Sequence, residues 1–341
     1  MAPRRSRRSP RRASHPTRFV SVPVLASGML VAVVLTLPWT LAGIGSGRVP
    51  FVAGLVAARS GALVASWLLL VVLAVVVLRA RVKTVARSLL IPAAALAVVA
   101  SVAHVVVPAT PAAGAASGRS LTVLSWNVNG SLVSGATIAG EALAHHADVV
   151  VLPEVNPVEV DEATAQLSPH GYRLVRVAGS NVVVFSTVGY RAADAGRHGS
   201  DPSRELVAVS DGGGLPSLYA VHLRIPFSPS GSDAWNREVA WVSALCAARQ
   251  PALVVGDFNA TVDNLAGTPV TTACADAATL VGAQRVGTWP TALPTALGMP
   301  IDHVFTAGDG VDVAAFAVLT DQDRSGSRHR PVLATISLSY P

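Results

Sequence analysis

The sequence predicts an α/β fold preceded by three transmembrane helices, and three observations lead to this prediction. Short β-branched runs alternate with a few helical segments after residue 120, which indicates sheet layers covered by helices. Three long apolar stretches come before them. The charge changes at the same point: the first 118 residues hold 13 of the 26 basic residues and no Asp or Glu, so the remainder carries a net charge of −7.

The apolar stretches Phe19–Ile44, roughly Gly61–Leu78 and Leu89–Val107 are each about long enough to cross a bilayer as a helix. Arginines are concentrated before the first stretch and between the second and third. By the positive-inside rule these segments are cytoplasmic, and the chain after Val107 lies outside the cell. A cleaved signal peptide is the alternative for the first stretch. A nucleic-acid-binding tail is the alternative for residues 1–18.

The predicted organisation therefore has four parts. They are a basic cytoplasmic tail at 1–18, three transmembrane helices at 19–107, an Ala/Pro/Gly linker at 108–120 and an extracytoplasmic domain at 121–341. We predict a multi-pass protein of the cell membrane, with the lipid bilayer as a partner and no protein partner. The two cysteines, Cys246 and Cys274, either form a disulfide outside the cell or remain two separate buried thiols.

The hydrophobic pattern after residue 120 predicts ten strands and three helices. The strands are Leu121–Asn127, Asp148–Leu152, Tyr172–Val177, Val182–Phe185, Leu206–Val209, Ser217–Leu223, Ala252–Gly256, Asp302–Thr306, Val311–Phe316 and Val332–Leu338. The helices are Thr137–His146, Asp233–Ala248 with Ser232 as its N-cap, and Thr271–Val281.

Six short polar motifs lie mostly at the ends of these apolar strands. They are Ser125–Asn129, Pro153-Glu154, Val221–Leu223, Gly256–Asn259, Ile301–His303 and Arg328–Pro331. Polar groups at the ends of buried strands are how a sheet assembles a site from distant parts of a sequence. These motifs supply oxygen ligands for a divalent cation and histidines that can move protons, which indicates metal-assisted hydrolysis of a phosphate ester.

In the order and spacing of these motifs, and in Gly287-Thr288-Trp289-Pro290 before Ile301, the sequence resembles the endonuclease/exonuclease/phosphatase superfamily. That superfamily includes secreted DNases, abasic-site endonucleases, sphingomyelinases and inositol-phosphate phosphatases. The resemblance extends from about Leu121 to Leu338. It implies a four-layer α/β sandwich, in which two packed mixed sheets have helices on their outer faces.

The resemblance also implies roles for the metal and proton-transfer residues. Glu154 is expected to be the principal Mg²⁺ (or Mn²⁺) ligand, with Asn127 nearby in the metal and phosphate site. His329 is expected to be the base, or the imidazolium that stabilises charge, and Asp302 is its partner. Because a strand turns alternate side chains to opposite faces, Asp302 and His303 cannot both face the site, so we expect His303 to be structural.

The remaining roles concern the attacking water and the phosphoryl group. By resemblance, Asp257 orients or deprotonates the water, Asn259 binds a phosphoryl oxygen and His222 stabilises charge in the transition state. Arg224 either adds a cationic contact or forms a salt bridge at the rim. Trp289 either lines the substrate cleft or covers the core.

At Arg328 the chain departs from the family pattern, in which an Asp usually precedes the last histidine. An arginine there makes a tightly held second metal ion less favourable, because it exchanges a negative charge for a positive one. Arg328 is expected to hold a phosphate, particularly one of a diphosphate. The alternative is that the exchange weakens or inactivates the protein.

The order of the predicted tail, spans, linker and domain narrows the range of substrates that we expect. Three spans followed by an outward-facing domain of this family are similar to the teicoplanin-resistance membrane protein of streptomycetes, a polyprenyl-diphosphate phosphohydrolase. The short linker and the net charge of −7 favour a lipid-linked (di)phosphate over nucleic acid, since the domain has no general attraction for DNA. The alternatives are an extracytoplasmic nuclease or phosphodiesterase and, third, a non-catalytic binding or sensor domain.

Overall fold

The structure is a computed structural model, and it describes residues 22–40, 46–50, 52–79, 85–105, 119–193, 204–211, 214–226 and 228–339. The predicted basic tail at 1–18 and nearly all of the predicted linker at 108–120 lie outside these described residues.

The described residues form helices at the N-terminal end and mixed strands and helices after residue 118. The α-helices are α1 (Val22–Thr40), α2 (Val52–Ala57), α3 (Arg59–Arg79), α4 (Val85–Val105), α5 (Gly135–Ala144), α6 (Pro157–Leu167), α7 (Pro229–Ala248), α8 (Pro269–Thr272) and α9 (Ala277–Leu280). The strands are β1 (Arg119–Ser125), β2 (Val149–Leu152), β3 (Arg173–Val175), β4 (Val183–Ser186), β5 (Tyr190–Ala192), β6 (Glu205–Ser210), β7 (Ser217–His222), β8 (Ala252–Asp257), β9 (Ala275–Asp276), β10 (Asp302–Ala307), β11 (Val311–Val318) and β12 (Val332–Leu338).

The strands form two six-stranded mixed sheets, and each has a parallel pair near its centre. The first sheet has the order β11-β12-β1-β2-β4-β3, with β1 parallel to β2. The second has the order β5-β6-β7-β8-β10-β9, with β7 parallel to β8. In both sheets, a strand antiparallel to the parallel pair begins at the edge where the pair ends: β12 beside β1, and β10 beside β8.

The two sheets pack face to face, and helices cover their outer faces. Alternate strand residues such as Val123, Val151 and Val255 fill the core between the sheets. The intervening residues of the first sheet, among them Leu124, pack against α5 and α6. Trp235 and other residues of α7 cover the second sheet. The result is the predicted α/β sandwich of two mixed sheets with helices outside.

Two predicted helices differ from the structure. The segment Thr271–Val281 is not one helix: it divides into α8, β9 and α9, because Asp276 pairs with Phe305 of β10 and then caps α9 by accepting a hydrogen bond from the Thr279 amide at 2.9 Å. Helix α7 begins at Pro229 with Ser228, not Ser232, as its cap.

Four elements of the described chain were not predicted, and one of them is the six-residue helix α2. Helix α6 begins with a proline, which is favourable in the first turn of a helix, and it follows the Pro153-Glu154 motif after only two residues. Strands β5 and β9 are only three and two residues long, so they carry almost no periodic signal.

Cys246 and Cys274 form a disulfide, with their Cα atoms 5.1 Å apart. The bond joins the end of α7 to the segment before β9, and both sulfur atoms lie in the core beneath the second sheet. It therefore ties the outer helix layer to the edge strand of that sheet.

The N-terminal helices α1, α3 and α4 pack together through small side chains. Ala32, Ala93 and Ala97 are buried between them, and the Ser66 hydroxyl donates to the Ala32 carbonyl at 2.9 Å. Their outward faces carry large apolar side chains that are exposed, namely Leu30, Val31, Val34, Leu68, Val71, Val72, Ile91, Val98, Val99 and Val102.

Within the described residues, one segment, Arg59–Val76, is both long and apolar enough to cross a membrane. The apolar segments Ala26–Thr36 and Leu90–Val102 of α1 and α4 are shorter. The two ends of the first predicted span and the end of the third fall outside the described residues. The three predicted spans therefore stay a prediction.

The helical region is attached to the sandwich through the loop that follows β8. The buried Asn264 amide donates to the carbonyls of Gly47 and Ala53, both at 3.0 Å, and its oxygen accepts from the Thr261 amide at 3.0 Å. Arg59, at the start of α3, forms an ion pair with Asp263. A side chain at Gly47 would collide with the Asn264 backbone at 2.7 Å, so this contact requires glycine.

Candidate active site

The polar motifs meet at one edge of the sandwich, where both parallel pairs end. In the second sheet, His222 and Asp302 are the register partners of Asp257 from either side. In the first sheet, Ser125 pairs with Val151 and Val332, so the residues just after β1 and β2 and just before β12 lie together. Six distant motifs therefore surround one site, as predicted from the strand ends.

Gly256 makes the close approach of β7 and β8 possible directly beneath this site. Its φ is +141°, and a Cβ there would lie 1.9 Å from the Val221 carbonyl oxygen. Any side chain would push β7 away from β8, and with it His222 from Asp257. The glycine that opens the Gly256–Asn259 motif is thus a packing requirement of the site.

His329 and Asp302 form a hydrogen-bonded pair that bridges the two sheets. His329 Nδ1 lies 3.0 Å from Asp302 Oδ2, and its Nε2 faces Asp257 Oδ2 at 3.9 Å. The backbone of His329 is fixed as well: Trp126 Nε1 donates to its carbonyl at 2.9 Å, and its amide donates to Ser327 Oγ at 2.9 Å. The imidazole is buried and held in one orientation.

The carboxylates around His329 favour its charged form. Burial alone would lower its pKa, but the negative charges of Asp302 and Asp257 outweigh burial and raise the pKa of His329 to about 9. Burial and the charge of Asp302 raise the pKa of Asp257 to about 6. At neutral pH the site therefore holds an imidazolium opposite an ionised, poorly solvated carboxylate.

Glu154 and Asn127 provide the oxygen-rich side of the site. The carboxylate of Glu154 is one-third exposed, with Oε1 3.2 Å from His222 Nε2 and Oε2 accepting from Asn129 Nδ2 at 3.2 Å. Asn127 donates from Nδ2 to Asp257 Oδ2 at 2.9 Å. Asn129 and Glu154 have left-handed backbones, with φ of 56° and 53°.

This donor set fits a divalent metal ion. Carboxylate and amide oxygens are the ligands that a hard cation prefers, and Glu154 is reachable from solvent. Asp257, Asp302 and His329 also place three ligand atoms within 4.8 Å of one another. Asp257 and Asp302 of that second group are buried, whereas Glu154 is accessible, so Glu154 is the better first ligand for a cation that enters from water. Asn127 is itself buried and hydrogen-bonded to Asp257 and Asn129.

His222 is buried beside both carboxylates and is uncharged. Burial, followed by the positive charge of Arg204, lowers its pKa to about 2. Its Nδ1 has no hydrogen-bond partner within the described residues. Arg204 donates to the His222 carbonyl at 2.8 Å and to the Leu223 carbonyl at 3.0 Å.

Sequence reasoning missed Arg204 and two other supporting residues. Arg204 belongs to none of the six motifs, so no local signal identified it. Ser327 directly precedes the last motif in the sequence, and its hydroxyl donates to the Asn127 carbonyl at 2.7 Å. Trp126 stands inside the first motif but was not given a role, although it supports His329.

The other predicted site residues lie around this centre. Asn259 has a left-handed backbone (φ 48°), donates from its amide to Asp257 Oδ1 at 2.8 Å and donates from Nδ2 to the Leu223 carbonyl at 2.9 Å. Arg224 is exposed two residues after His222, and its backbone amide donates to Glu238. Trp289 is half-buried and bridged to Met299, next to the segment that leads into Asp302.

Arg328 lies at the rim and is exposed. Its Nε donates to Asn129 Oδ1 at 2.8 Å, and Asn129 in turn donates to Glu154. Arg328 is therefore linked to Glu154 through the side-chain amide of Asn129.

His303 faces away from the site. Its Nδ1 lies 3.0 Å from Asp276 Oδ1, its Nε2 lies 3.0 Å from the Ala260 carbonyl, and the ring is fully buried against Phe258. This placement agrees with the structural role that strand alternation predicts.

A sandwich of two mixed sheets with these oxygen ligands and histidines at one edge has the architecture of DNase I-like hydrolases. The sequence profile of the Endonuclease/Exonuclease/phosphatase family matches residues 124–329. The chain belongs to this family, whose members are hydrolases that act on phosphoric esters and depend on divalent metal ions. Comparison with curated proteins gave no match.

Several solved structures share the fold. An endonuclease/exonuclease/phosphatase from Beutenbergia cavernae is 23% identical, with a TM-score of 0.50 over 65% of this chain and 72% of that chain. An AP endonuclease from Archaeoglobus fulgidus is 14% identical, with a TM-score of 0.51 over 63% and 98%. A 3′ phosphatase from Neisseria, bound to a product DNA hairpin, is 18% identical, with a TM-score of 0.50 over 64% and 100%.

Proposed function

We propose that this chain is a membrane-anchored, extracytoplasmic phosphohydrolase that uses Mg²⁺ or Mn²⁺ and acts on a lipid-linked phosphate or diphosphate. The observation that carries the proposal is the convergence of Glu154, Asn127, Asp257 and the His329–Asp302 pair at one edge of the sandwich. A cation ligand, a water-orienting carboxylate and a charged imidazole are the three groups that hydrolysis of a phosphate ester requires.

In this proposal, the role of each residue follows from the charge that its surroundings give it. Glu154 and Asn127 would hold the metal ion, which when bound would neutralise charge on the phosphate. Asp257 is ionised above about pH 6 and accepts a hydrogen bond from the attacking water. The imidazolium of His329, oriented by Asp302, stabilises the negative charge that develops on the phosphoryl oxygens.

The neutral and amide side chains bind the phosphoryl group. His222 is neutral and so has a single N–H, and its Nε2 lies 3.2 Å from Glu154 Oε1. In this proposal a phosphoryl oxygen replaces Glu154 as the partner of His222 Nε2 when Glu154 binds the metal ion. Asn259 is held by Asp257 and Leu223 close to the same position. Arg328 and Arg224 are exposed cations, and in this proposal they hold the second phosphate of a diphosphate.

Support for a lipid-linked substrate comes from the rest of the chain. The outward faces of α1, α3 and α4 are apolar, and the loop after β8 attaches these helices directly to the sandwich. A bilayer around the helices would bring lipid phosphates to the catalytic domain, whereas the net charge of −7 gives no general attraction for DNA.

The test is an activity panel on the full chain reconstituted in vesicles. Polyprenyl diphosphate, sphingomyelin and plasmid DNA are each supplied with Mg²⁺, with Mn²⁺ and with EDTA. We expect metal-dependent release of inorganic phosphate from the diphosphate. Cleavage of DNA alone would show a nuclease and contradict the lipid substrate. If the folded protein hydrolyses none of the three substrates, a binding domain would be favoured.

The orientation is tested separately with a reporter fused after residue 341. A periplasmic or cell-surface reporter should be active there, and a cytoplasmic reporter should be silent, since three crossings place the catalytic domain outside. Activity of the cytoplasmic reporter would contradict both the orientation and the extracytoplasmic substrate.

A further inference from the structure

A cavity of about 840 Å³ lies between the N-terminal helices and the sandwich. Ala57, Arg59 and Val99 line it on the helical side, and Val262, Ala266 and Pro300 line it on the side of the sandwich. Its volume is within the roughly 300–1,000 Å³ that is typical of ligand pockets in proteins. The cavity is therefore large enough for a ligand that contacts both regions at once.

The walls of this cavity are fixed in place, and two of them continue along the chain into residues of the catalytic site. Asn264 and the Arg59–Asp263 ion pair hold the loop after β8 against the helices. That loop starts at Asn259, and Pro300 lies two residues before Asp302. The cavity and the site therefore share the segments that enter and leave the second sheet.

The walls are mostly apolar and include one buried polar atom without a partner. Oε1 of Gln284, a residue in the cavity wall that is 8% exposed, has no hydrogen-bond partner within the described residues. Burying such an atom costs free energy unless something pairs with it, and because a hydrocarbon chain cannot, the pairing would fall to water or to a polar group of the ligand. Charged residues such as Arg59, Asp263 and Arg285 line the cavity beside the apolar ones, a mixture that suits an amphiphilic ligand.

The cavity also communicates with the apolar outer surface of the helices. Val99 lines the cavity and is 62% exposed, and its neighbours Val98 and Val102 on α4 are exposed as well. An apolar chain that lies along α4 could enter the cavity without crossing water. This continuity distinguishes the cavity from a pocket for a water-soluble molecule, which would open onto polar surface.

We infer that this cavity binds the hydrocarbon chain of a lipid phosphate while its phosphate occupies the site formed by Glu154, Asp257 and His329. The inference rests on the proposed function, and it adds a recognition element outside the phosphate site. Burying one methylene strengthens binding about fourfold, so binding even part of the chain gives a strong preference for long-chain substrates.

The test compares chain-length preference in the full-length protein. Ala266→Trp and Val99→Trp fill the cavity from opposite walls, and Val72→Trp, on the exposed face of α3 and outside the cavity, is the matched control. Each variant is assayed on a long polyprenyl diphosphate and on a short, water-soluble isoprenyl diphosphate. We expect both cavity variants to lower kcat/KM for the long substrate about tenfold or more, because at least two methylenes lose their contacts.

The short substrate is the internal control for folding and chemistry. We expect its kcat/KM to stay within about twofold of wild type in all three variants, since it makes no use of the cavity. Equal losses on both substrates, or no loss on either, would overturn the inference. A loss for the control variant equal to that of the cavity variants would also overturn it.

A second measurement separates this inference from the proposed function. An alkyl probe that carries a photoreactive diazirine and no phosphate is added to vesicles containing the full chain, and the labelled peptides are identified. Labelling of residues 261–267 that is lost in Ala266→Trp supports the cavity as a chain site even if no lipid phosphate is hydrolysed. Labelling confined to the outer faces of the helices would overturn it.

Discussion

The helical region and the sandwich distribute apolar and charged side chains in opposite ways. The described helices expose large aliphatic side chains such as Leu68 and Ile91 and bury small ones such as Ala32. The sandwich buries its aliphatic side chains between layers and also buries Asp257, Asp302 and other charged groups at one edge. The Ser66 hydroxyl between the helices is satisfied by a backbone carbonyl, whereas the Asp257 carboxylate and the His329–Asp302 pair in the sandwich are satisfied by other side chains.

The two regions therefore contain different kinds of energetically unfavourable group. Buried ionisable groups are costly unless they are paired, and the sandwich concentrates Asp257, Asp302, His222 and His329 at one edge. The helices instead leave apolar area uncovered, which is costly in water and favourable in lipid. Variants can therefore be expected to separate the two regions: changes at the edge should alter chemistry, and changes at the junction should alter stability.

The largest effect is expected for Glu154→Gln. The substitution keeps the shape of the side chain but removes the charge that a divalent cation requires, so activity should fall by about three orders of magnitude or more. EDTA should have a similar effect on the wild type. Phosphate release and thermal unfolding are measured together, with Asp161→Asn, an exposed acid on α6, as the control. Wild-type turnover by Glu154→Gln would contradict the metal site.

Asp302→Asn should lower kcat/KM by about 10²–10⁴-fold, because His329 loses the charge that orients it and keeps it protonated. In the wild type, activity should rise through about pH 6 as Asp257 ionises and fall near pH 9 as His329 loses its proton. The alkaline limb should move to lower pH in Asp302→Asn. An unchanged alkaline limb would exclude His329 as the group that controls it.

The same proton on His329 links pH to stability. Since the pKa is raised from its ordinary value of 6.5 to about 9 in the folded state, the stabilisation is fully present below about pH 6.5 and is lost as pH rises through about 9. Unfolding at several pH values should therefore show less alkaline destabilisation in His329→Gln than in the wild type.

Arg328→Ala should raise KM for a diphosphate and so lower kcat/KM. The loss of transition-state stabilisation should be about 1–3 kcal/mol, as expected when one charge-assisted contact is lost. The effect on a monophosphate should be smaller. Arg324→Ala, an exposed arginine in the same loop, is the control. If Arg328→Asp instead increases turnover of DNA, the arginine blocks a phosphodiesterase site and does not serve a diphosphate.

The smallest effect is expected at the junction. Asn264→Ala leaves buried carbonyls of Gly47 and Ala53 without their donor, which should reduce the free energy of unfolding by about 1–3 kcal/mol. Asn264→Asp keeps the oxygen that accepts from Thr261 but replaces the donor to the helices by a buried carboxylate oxygen that faces two carbonyls, so its loss of stability should be larger than that of Asn264→Ala. Equal stability of Asn264→Asp and wild type in thermal unfolding would show that the junction contributes little.

Much of the site could be predicted because its residues are tied to strand ends. Asp257, Asp302 and His222 follow or begin apolar strands, and their pairing register brings them together without further information. Arg204 could not be found in this way, because it reaches the site from the start of β6, and nothing in its local sequence marks it.

Elements of the fold were predicted well where local sequence determines them and poorly where long-range contacts do. Strands with a strong apolar pattern, such as β8 and β12, have nearly the predicted bounds. The division of Thr271–Val281 into α8, β9 and α9 depends on pairing with β10, and the junction depends on Asn264, whose partners are about two hundred residues away. Such tertiary contacts leave no periodic signal in the sequence.

The left-handed backbones of Asn129, Glu154 and Asn259 have a consequence for the evolution of this site. A non-glycine residue in that conformation costs the fold free energy, least for asparagine and more for glutamate. Glycine would relieve this cost at Glu154 and would remove the carboxylate. Selection for robustness and selection for turnover therefore act in opposite directions at one residue, so a variant library screened only for heat resistance should lose Glu154 early.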